Sequence, residues 1–261
     1  MTMPQLEKAE AFRALHEGAP FVIPNPWDAG SARALAELGF PALASSSGAF
    51  AETLGRSDGE VSLDEVVEHA RVLDQATDLP VAMDLENGYG PEPRDAARAI
   101  TRVAAVGAVG GSIEDWDRDG GFIYDIDRAA ERVAAAAEAA RALDFPFTLT
   151  GRAENHFRGN PDLDDTIRRL QAYEAAGADV VFAPAIRTED EIRAICSAVS
   201  KPVNALAFPD TSMDRLVAAG AQRVSFGSWL WRVGARAATT AAGRIRETGD
   251  FSALAGLMPP G

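Results

Sequence analysis

The run Val81-Ala82-Met83-Asp84-Leu85-Glu86-Asn87-Gly88-Tyr89-Gly90 carries two carboxylates, two residues apart, between a short apolar stretch and a glycine-rich turn. Side chains two apart on an extended strand share a face, so the spacing predicts that Asp84 and Glu86 converge on one point. Two carboxylates aimed at one point repel unless a proton or a cation stands between them. At the end of a buried strand, the expected answer is a hard, oxygen-seeking cation: Mg²⁺, with Mn²⁺ as a substitute. Mg²⁺ commonly takes one or two direct carboxylates and keeps several waters. Asp84 is therefore the expected direct ligand, with Glu86 and a third carboxylate, Glu114, binding directly or holding metal-bound waters.

Bringing Glu114 to the same place requires a particular scaffold, and the chain supplies signals for one. Short apolar stretches recur between helix-compatible ones: Phe21–Asn25, Pro41–Ser47, Pro80–Glu86, Gly110–Asp115, Phe147–Glu154, Asp179–Ala185, Pro202–Ala207 and Arg223–Gly227. The even-numbered stretches follow a glycine suited to the left-handed position beyond a helix (Gly39, Gly107, Gly177, Gly220). The odd ones from the third onward open on a proline, which needs no ladder donor there (Pro80, Pro146, Pro202). Strands alternating with helices predict βαβ units and a parallel sheet. Eight such units in 261 residues predict one α/β domain spanning residues 1–261, a single (β/α)8 TIM barrel. No G-x-G-x-x-G opens a helix after the first strand, as a doubly wound dinucleotide-binding sheet would require.

Active sites of such barrels gather at the C-terminal ends of the strands. Those ends carry Asn25-Pro26-Trp27-Asp28, Ser45-Ser46-Ser47-Gly48, Asp84 with Glu86, Glu114-Asp115, Arg152 with Glu154, and Asn204. Arg152 offers a planar fork that matches a carboxylate or phosphate. A salt bridge to Glu114 or Glu154 is the plainer role for it, and the two roles can coexist. The serine run is expected to form a strand-to-loop turn whose backbone N–H groups hold an anion. Trp27 and Asn204 are candidate pocket walls for substrate, Trp27 serving equally well in the core. Asp58 sits on a glycine-flanked loop after the second strand. Ser62-Leu63-Asp64-Glu65 reads as a capping box. His16 and His69 are expected on outer helices facing solvent, and His156 stands close enough to the mouth to reach it.

Lys and Arg number 25 against 39 Asp and Glu, for a net charge of −14. Nucleic acid and anionic membranes are poor partners for such a surface. A small anionic substrate would need a local cation, an arginine or clustered N–H groups. Residues 1–17 read as an amphipathic helix rather than a signal peptide, and no apolar run approaches a membrane span. The single cysteine, Cys196, forms no internal disulfide and is expected to be inert on a helix over Glu189–Val199, which fits a reducing cytoplasm.

Taken together, Asn25 through Ala32, Ser45-Ser46-Ser47-Gly48, Gly55 with Asp58, Asp84 through Gly90, Ile113-Glu114-Asp115, Gly151-Arg152 and Asp164 through Asp179 resemble the isocitrate lyase / phosphoenolpyruvate mutase superfamily. The resemblance implies a barrel that is often tetrameric, its last helix exchanged between subunits, and so a homo-oligomer, dimer or tetramer. It also implies Mg²⁺ and a small anionic 2-oxo acid or polycarboxylate substrate. It assigns Asp84, Glu86 and Glu114 to the metal and its waters. Ser45, Ser46 and Ser47 fall to the oxo-acid oxygens, Arg152 to substrate and Asp58 to the reacting centre, making Asp58, Arg152 and Glu114 the candidate catalytic groups.

The chain departs from the lyases in the loop after the fourth strand. Where they carry Lys-Lys-Cys-Gly-His, this chain has Asp115-Trp116-Asp117-Arg118-Asp119-Gly120-Gly121-Phe122-Ile123-Tyr124, without cysteine, lysine or histidine. The Asp-Asn and Ser-Lys pattern of the phosphonate-processing members is missing too. A lid remains the expected role of this loop. The expected function is a Mg²⁺-dependent lyase that cleaves or decarboxylates a small 2-oxo or 2-hydroxy carboxylate through an enolate. The alternatives are a mutase or hydrolase of phosphonopyruvate-type compounds and a non-catalytic 2-oxo-acid binder.

Overall fold

A computed structural model describes residues 3–255; residues 1–2 and 256–261, the ends of the expected domain, lie outside the described residues. Eight parallel strands form the inner wall: β1 (Phe21–Ile23), β2 (Leu43–Ala44), β3 (Val81–Asp84), β4 (Gly110–Glu114), β5 (Thr148–Arg152), β6 (Val180–Phe182), β7 (Val203–Leu206) and β8 (Arg223–Ser225). From β2 to β8 each strand pairs with its chain neighbour, and β1 pairs with β8 in the register Phe21 to Arg223. Between β1 and β2 the wall is held by a backbone bond from Ala44 N–H to the Pro24 carbonyl, 3.1 Å. The result is the expected (β/α)8 barrel, nearly closed.

The helix ends obey the local signals. Gly39, Gly107, Gly177 and Gly220 all take left-handed φ between 85° and 114°, beyond helices whose chain must turn back to the sheet. Ser62 accepts from Glu65 N–H and Glu65 returns the bond, capping α4 (Leu63–Ala76) as expected. Outward-facing strand residues such as Val81, Met83, Val181 and Val203 join the helices in the main core. A smaller cluster closes the barrel floor, where Phe12 of α1 (Gln5–Glu17) packs on Phe21, Ile23 and Val109.

TIM-barrel interiors are usually filled by layers of bulky branched side chains. Here the inward positions include Ala44, Ala82, Ser112, Thr150 and Ser225, too small to fill the space. They leave a cavity of about 220 Å³ running from the mouth into the barrel.

Several expected boundaries shift. The second strand is only two residues long, because Ser46 leaves the sheet to cap α3 (Ser47–Thr53), accepting from Ala49 N–H. The serine run is thus a helix start, not a loop. The third strand stops at Asp84, and Glu86 takes φ +47°. The alternation that was to place Asp84 and Glu86 on one face therefore does not reach Glu86. The two histidines expected to face solvent are buried, His16 at 9% exposure and His69 at 5%. His16 packs edge-on to Phe12 and Phe21, and His69 stacks flat on Phe50 at 3.8 Å. Cys196 is half-buried on α8 (Glu189–Ala198), and burial pushes its thiol up to about 11, matching the inert role. No described helix is long and apolar enough to cross a membrane.

Candidate active site

Asp84 is the last residue of β3 and lies on the cavity wall. Two serines fix it. Ser45 Oγ accepts from the Asp84 backbone N–H at 2.8 Å, while Ser47 donates to Asp84 Oδ2 from its hydroxyl at 3.0 Å and its backbone N–H at 3.2 Å. Ser46 points elsewhere, its hydroxyl 3.0 Å from that of Ser228. Asn25 secures the arrangement from β1's end: its amide donates to the carbonyls of Ala44 and Ser45, and its oxygen accepts from Phe226 N–H. The serine run is in place, and through Ser45 and Ser47 its first task is to orient Asp84.

Arg152, ending β5, is held among carboxylates. Its Nε donates to Glu154 Oε1 at 2.6 Å, and Nη1 stands 3.3 Å from Glu114 and 3.4 Å from Asp84. Burial opposes its charge, but Glu154, Glu114 and Asp84 outweigh that and hold the guanidinium well above its ordinary value. Arg152 thus makes the salt bridges of its plainer role, to Glu114 and Glu154, and it also lines the cavity. Glu114 is pushed well above the usual carboxylate range, chiefly by burial, against the pull of Arg152.

Asp58 approaches from the loop between α3 and α4, exposed at the rim on one side and on the cavity wall on the other. Desolvation and the charge of Asp84 raise its carboxyl, with Ser47 and Arg152 pulling the other way. Glu86 is buried and pushed up to about 7, mainly by burial. Its partner is Arg118, 3.0 Å away, from the loop after β4. That loop forms a hairpin, Trp116–Asp117 against Phe122–Ile123, and Tyr124 pins its far end by donating to Asp117 Oδ2 at 2.6 Å. Glu86 and Tyr89, both non-glycine, sit at positive φ in the turn beneath it, a strained conformation of the sort that clusters at functional sites.

Asn204 lines the cavity, but its amide is engaged by Ser225 and Arg223. Glu86 and Glu114 stand behind the cavity wall rather than on it. Trp27, expected at the pocket, is not on that wall either; its ring meets Trp231 at 5.6 Å and its carbonyl accepts from His69. His156 also misses the wall, although its neighbour Phe157 reaches it. The sequence reading passed over Ser228 and Arg223, both on the wall. Arg223 carried a signal: a charged residue at an inward strand position, two before Ser225.

Among the described residues, no three His, Cys, Asp or Glu side chains stand together as a ready-made metal cage. Asp84 and Glu114 share Arg152, and Glu86 is taken by Arg118. The donor chemistry nonetheless fits a hard divalent ion that takes one or two carboxylates. The donors are all oxygens, carboxylates outnumber guanidiniums, and Asp58, Glu86 and Glu114 are all held above their ordinary range.

The sequence profile of the phosphoenolpyruvate phosphomutase family matches residues 12–246. A solved chain from Burkholderia cenocepacia J2315, described as a candidate lyase/mutase, is 48% identical and superposes with a TM-score of 0.95 over 98% of this chain and 93% of its own. A 2-methylisocitrate lyase of Halalkalibacterium halodurans is 30% identical over 88% of this chain and 77% of its own length. An oxaloacetate decarboxylase of Rhodopseudomonas palustris is 31% identical over 76% and 70%. This chain therefore belongs to the phosphoenolpyruvate mutase family and is an enzyme of the isocitrate lyase / phosphoenolpyruvate mutase type.

Proposed function

We propose that the chain is a Mg²⁺-dependent lyase that breaks a carbon–carbon bond at C3 of a small 2-oxo or 2-hydroxy carboxylate, by cleavage or decarboxylation. The observation that carries this reading is Asp84 held on the cavity wall by Ser45 and Ser47, with Arg152 beside it and the Glu86 and Glu114 carboxylates behind. Asp84 would hold Mg²⁺, with Glu86 and Glu114 on its waters. When bound, the cation supplies positive charge against the enolate that forms as the C3 bond breaks.

The remaining work falls to side chains. Arg152 binds the substrate's carboxylate and keeps it in the plane of its guanidinium fork. In a 2-oxo acid the electron pair of the breaking C3 bond passes into the C2–C3 enolate, and the departing group leaves as CO₂ or a carbonyl fragment. In a 2-hydroxy acid the hydroxyl gives its proton to a carboxylate at the mouth as C2–C3 breaks. C2 then leaves as the 2-oxo fragment, and the pair is held on C3 as the enolate of its carboxylate. Asp58, its carboxyl raised toward the protonated form, returns a proton to C3 and takes the place of the lyases' missing cysteine.

A panel of 2-oxo acids and 2-hydroxy tricarboxylates with Mg²⁺, read as pyruvate, glyoxylate or CO₂ released, tests the reading. Asp84→Ala should abolish turnover of whatever substrate emerges, and an unchanged rate would refute it. The family profile itself favours a second reading, phosphonopyruvate-type chemistry. Phosphorus NMR distinguishes the two, since only that reading predicts a changed P–C bond.

The homo-oligomer belongs to the same proposal. The helix α10 (Trp229–Thr248) buries none of its residues, and Val233 is 64% exposed. Light scattering should return two or four times the 27.6 kDa chain mass, and a monomer would count against exchange of this helix.

A further inference from the structure

Arg223 projects from β8 into the barrel and lines the inner part of the cavity at 7% exposure. Its partners are all neutral. Nε donates to Asn204 Oδ1 at 2.8 Å, Nη2 to Thr150 Oγ1 at 3.0 Å, and Nη1 to His16 Nε2 at 3.2 Å. His16 can only accept there, because its Nδ1–H is spent on the Phe12 carbonyl at 2.8 Å, and burial holds the ring neutral, its pKa lowered to about 3. A guanidinium carries five N–H donors. Three are committed, and two remain.

Among the described residues, no carboxylate forms an ion pair with Arg223, unlike its cavity-wall neighbour Arg152. Arg152 has Glu154, Glu114 and Asp84, and Arg169 has Asp115 and Asp165. Arg132 also lacks an ion pair, but it donates to the Asn87 and Gly90 carbonyls, lies over the Tyr124 ring and does not line the cavity. Buried charges are ordinarily paired. Arg223 is instead a buried cation on the inner wall of a cavity whose mouth carries Asp58 and Asp84 beside Arg152 and Arg232. The chamber is thus lined by three guanidiniums and two carboxylates. At about 220 Å³ it lies below the roughly 300–1,000 Å³ of pockets for drug-sized ligands.

We propose that Arg223 is a second anion subsite at the cavity floor, taking the far carboxylate of a dianionic substrate whose 2-oxo acid end meets Asp84 and Arg152. The assignment of that near end rests on the lyase reading above; the floor subsite does not. It narrows the substrate class to diacids long enough to span the chamber. It also implies that the carboxylate on Arg223 is one the reaction retains, because a cation that stabilises a carboxylate opposes its departure as neutral CO₂.

The test uses the intact chain in EDTA, so that neither Mg²⁺ nor turnover enters. Calorimetry compares succinate with butyrate, which keeps the chain length and lacks one carboxylate. The wild type should prefer succinate by at least tenfold, Arg223→Met should lose that preference, and Arg223→Lys should restore part of it. Equal binding of the two acids to the wild type, or a preference that survives in Arg223→Met, overturns the proposal. Should the variants fail to fold, wild-type crystals soaked in sodium bromide decide it. An anomalous peak within hydrogen-bonding distance of the Arg223 Nη atoms supports the subsite, and its absence there rules the subsite out. A chain that binds succinate in this way yet turns over nothing with Mg²⁺ would retain the subsite and lose the lyase reading.

Discussion

Arg118 Nη1 lies 3.0 Å from Glu86 Oε2, so the loop that lacks the lyases' cysteine closes instead on a carboxylate of the metal motif. Arg118 also stands over the Tyr89 ring at 5.1 Å and donates to the Val61 carbonyl, tying the hairpin to the turn beneath it. A cation held by Asp84 and Glu86 must compete with this guanidinium. Above pH 8, where Glu86 is ionised, Arg118→Ala should tighten Mg²⁺ binding roughly tenfold, about 1.4 kcal/mol of relieved charge competition. Titration calorimetry at pH 8.5 measures it. Identical affinities would separate Glu86 from the metal.

Arg152 has a structural task beside the substrate-binding one proposed for it, because Glu154 behind it is completely buried. Arg152→Met leaves that carboxylate with only Arg158, 3.2 Å from its second oxygen. Removing one partner of a buried ion pair costs about 3–5 kcal/mol. Adding Glu154→Gln should recover a good part of the loss, since the uncompensated charge goes with it. Urea denaturation of the two single variants and the double variant gives the coupling. Activity should return in none of the Arg152 variants, which separates the two roles.

Much of this scaffold is written locally. The glycines at 39, 107, 177 and 220 and the capping box at Ser62 act through backbone geometry within a few residues, and they behave as the sequence predicts. The cavity-wall residues Asp84 and Arg152 were legible because barrel strands end at one mouth, whereas Asp58, on the loop between α3 and α4, was named only through the family resemblance. Glu86 was named by a rule that does not apply to it: the strand ends at Asp84, and a left-handed turn carries Glu86 behind the cavity wall toward Arg118. The hidden part is whatever depends on closing the barrel. His16 reads as a surface helix residue until α1 is seen to plug the floor, and Arg223 reads as an ordinary strand residue until the interior proves hollow. Trp27 was drawn toward the mouth by its place after β1, but its ring packs against Trp231, a partner about two hundred residues away.

His69 is buried neutral, its pKa lowered to about 4 by desolvation, with Nε2–H donating to the Trp27 carbonyl at 3.1 Å. The unfolded chain takes up this proton below about pH 6.5, whereas the folded chain resists it until about pH 4. The stability this ring contributes is therefore complete above pH 6.5 and lost as pH falls toward 4, about 3 kcal/mol in all. His69→Gln keeps a donor for Trp27 and removes the titration. Its urea stability should fall less steeply than that of the wild type between pH 6.5 and 4, and parallel curves would mean that His69 is charged in the fold.

The Asp58 carboxyl on the cavity wall is held above its ordinary value despite Ser47 and the arginines, because desolvation and then Asp84 push harder. In the proposed role of proton donor to C3, it must be protonated at the start of that step. The rate should then decline as pH rises through its pKa, by loss of the acid form. Asp58→Asn keeps the shape and can neither give nor take the proton. It should lower kcat by about 10²–10⁴-fold, the usual worth of a positioned acid. The alkaline decline of kcat should vanish with it, while Mg²⁺ affinity stays within a few-fold, since Asp84 remains held by Ser45 and Ser47. A variant that loses rate but keeps the wild-type pH profile would place Asp58 in substrate positioning and send the search for the acid to another group at the mouth.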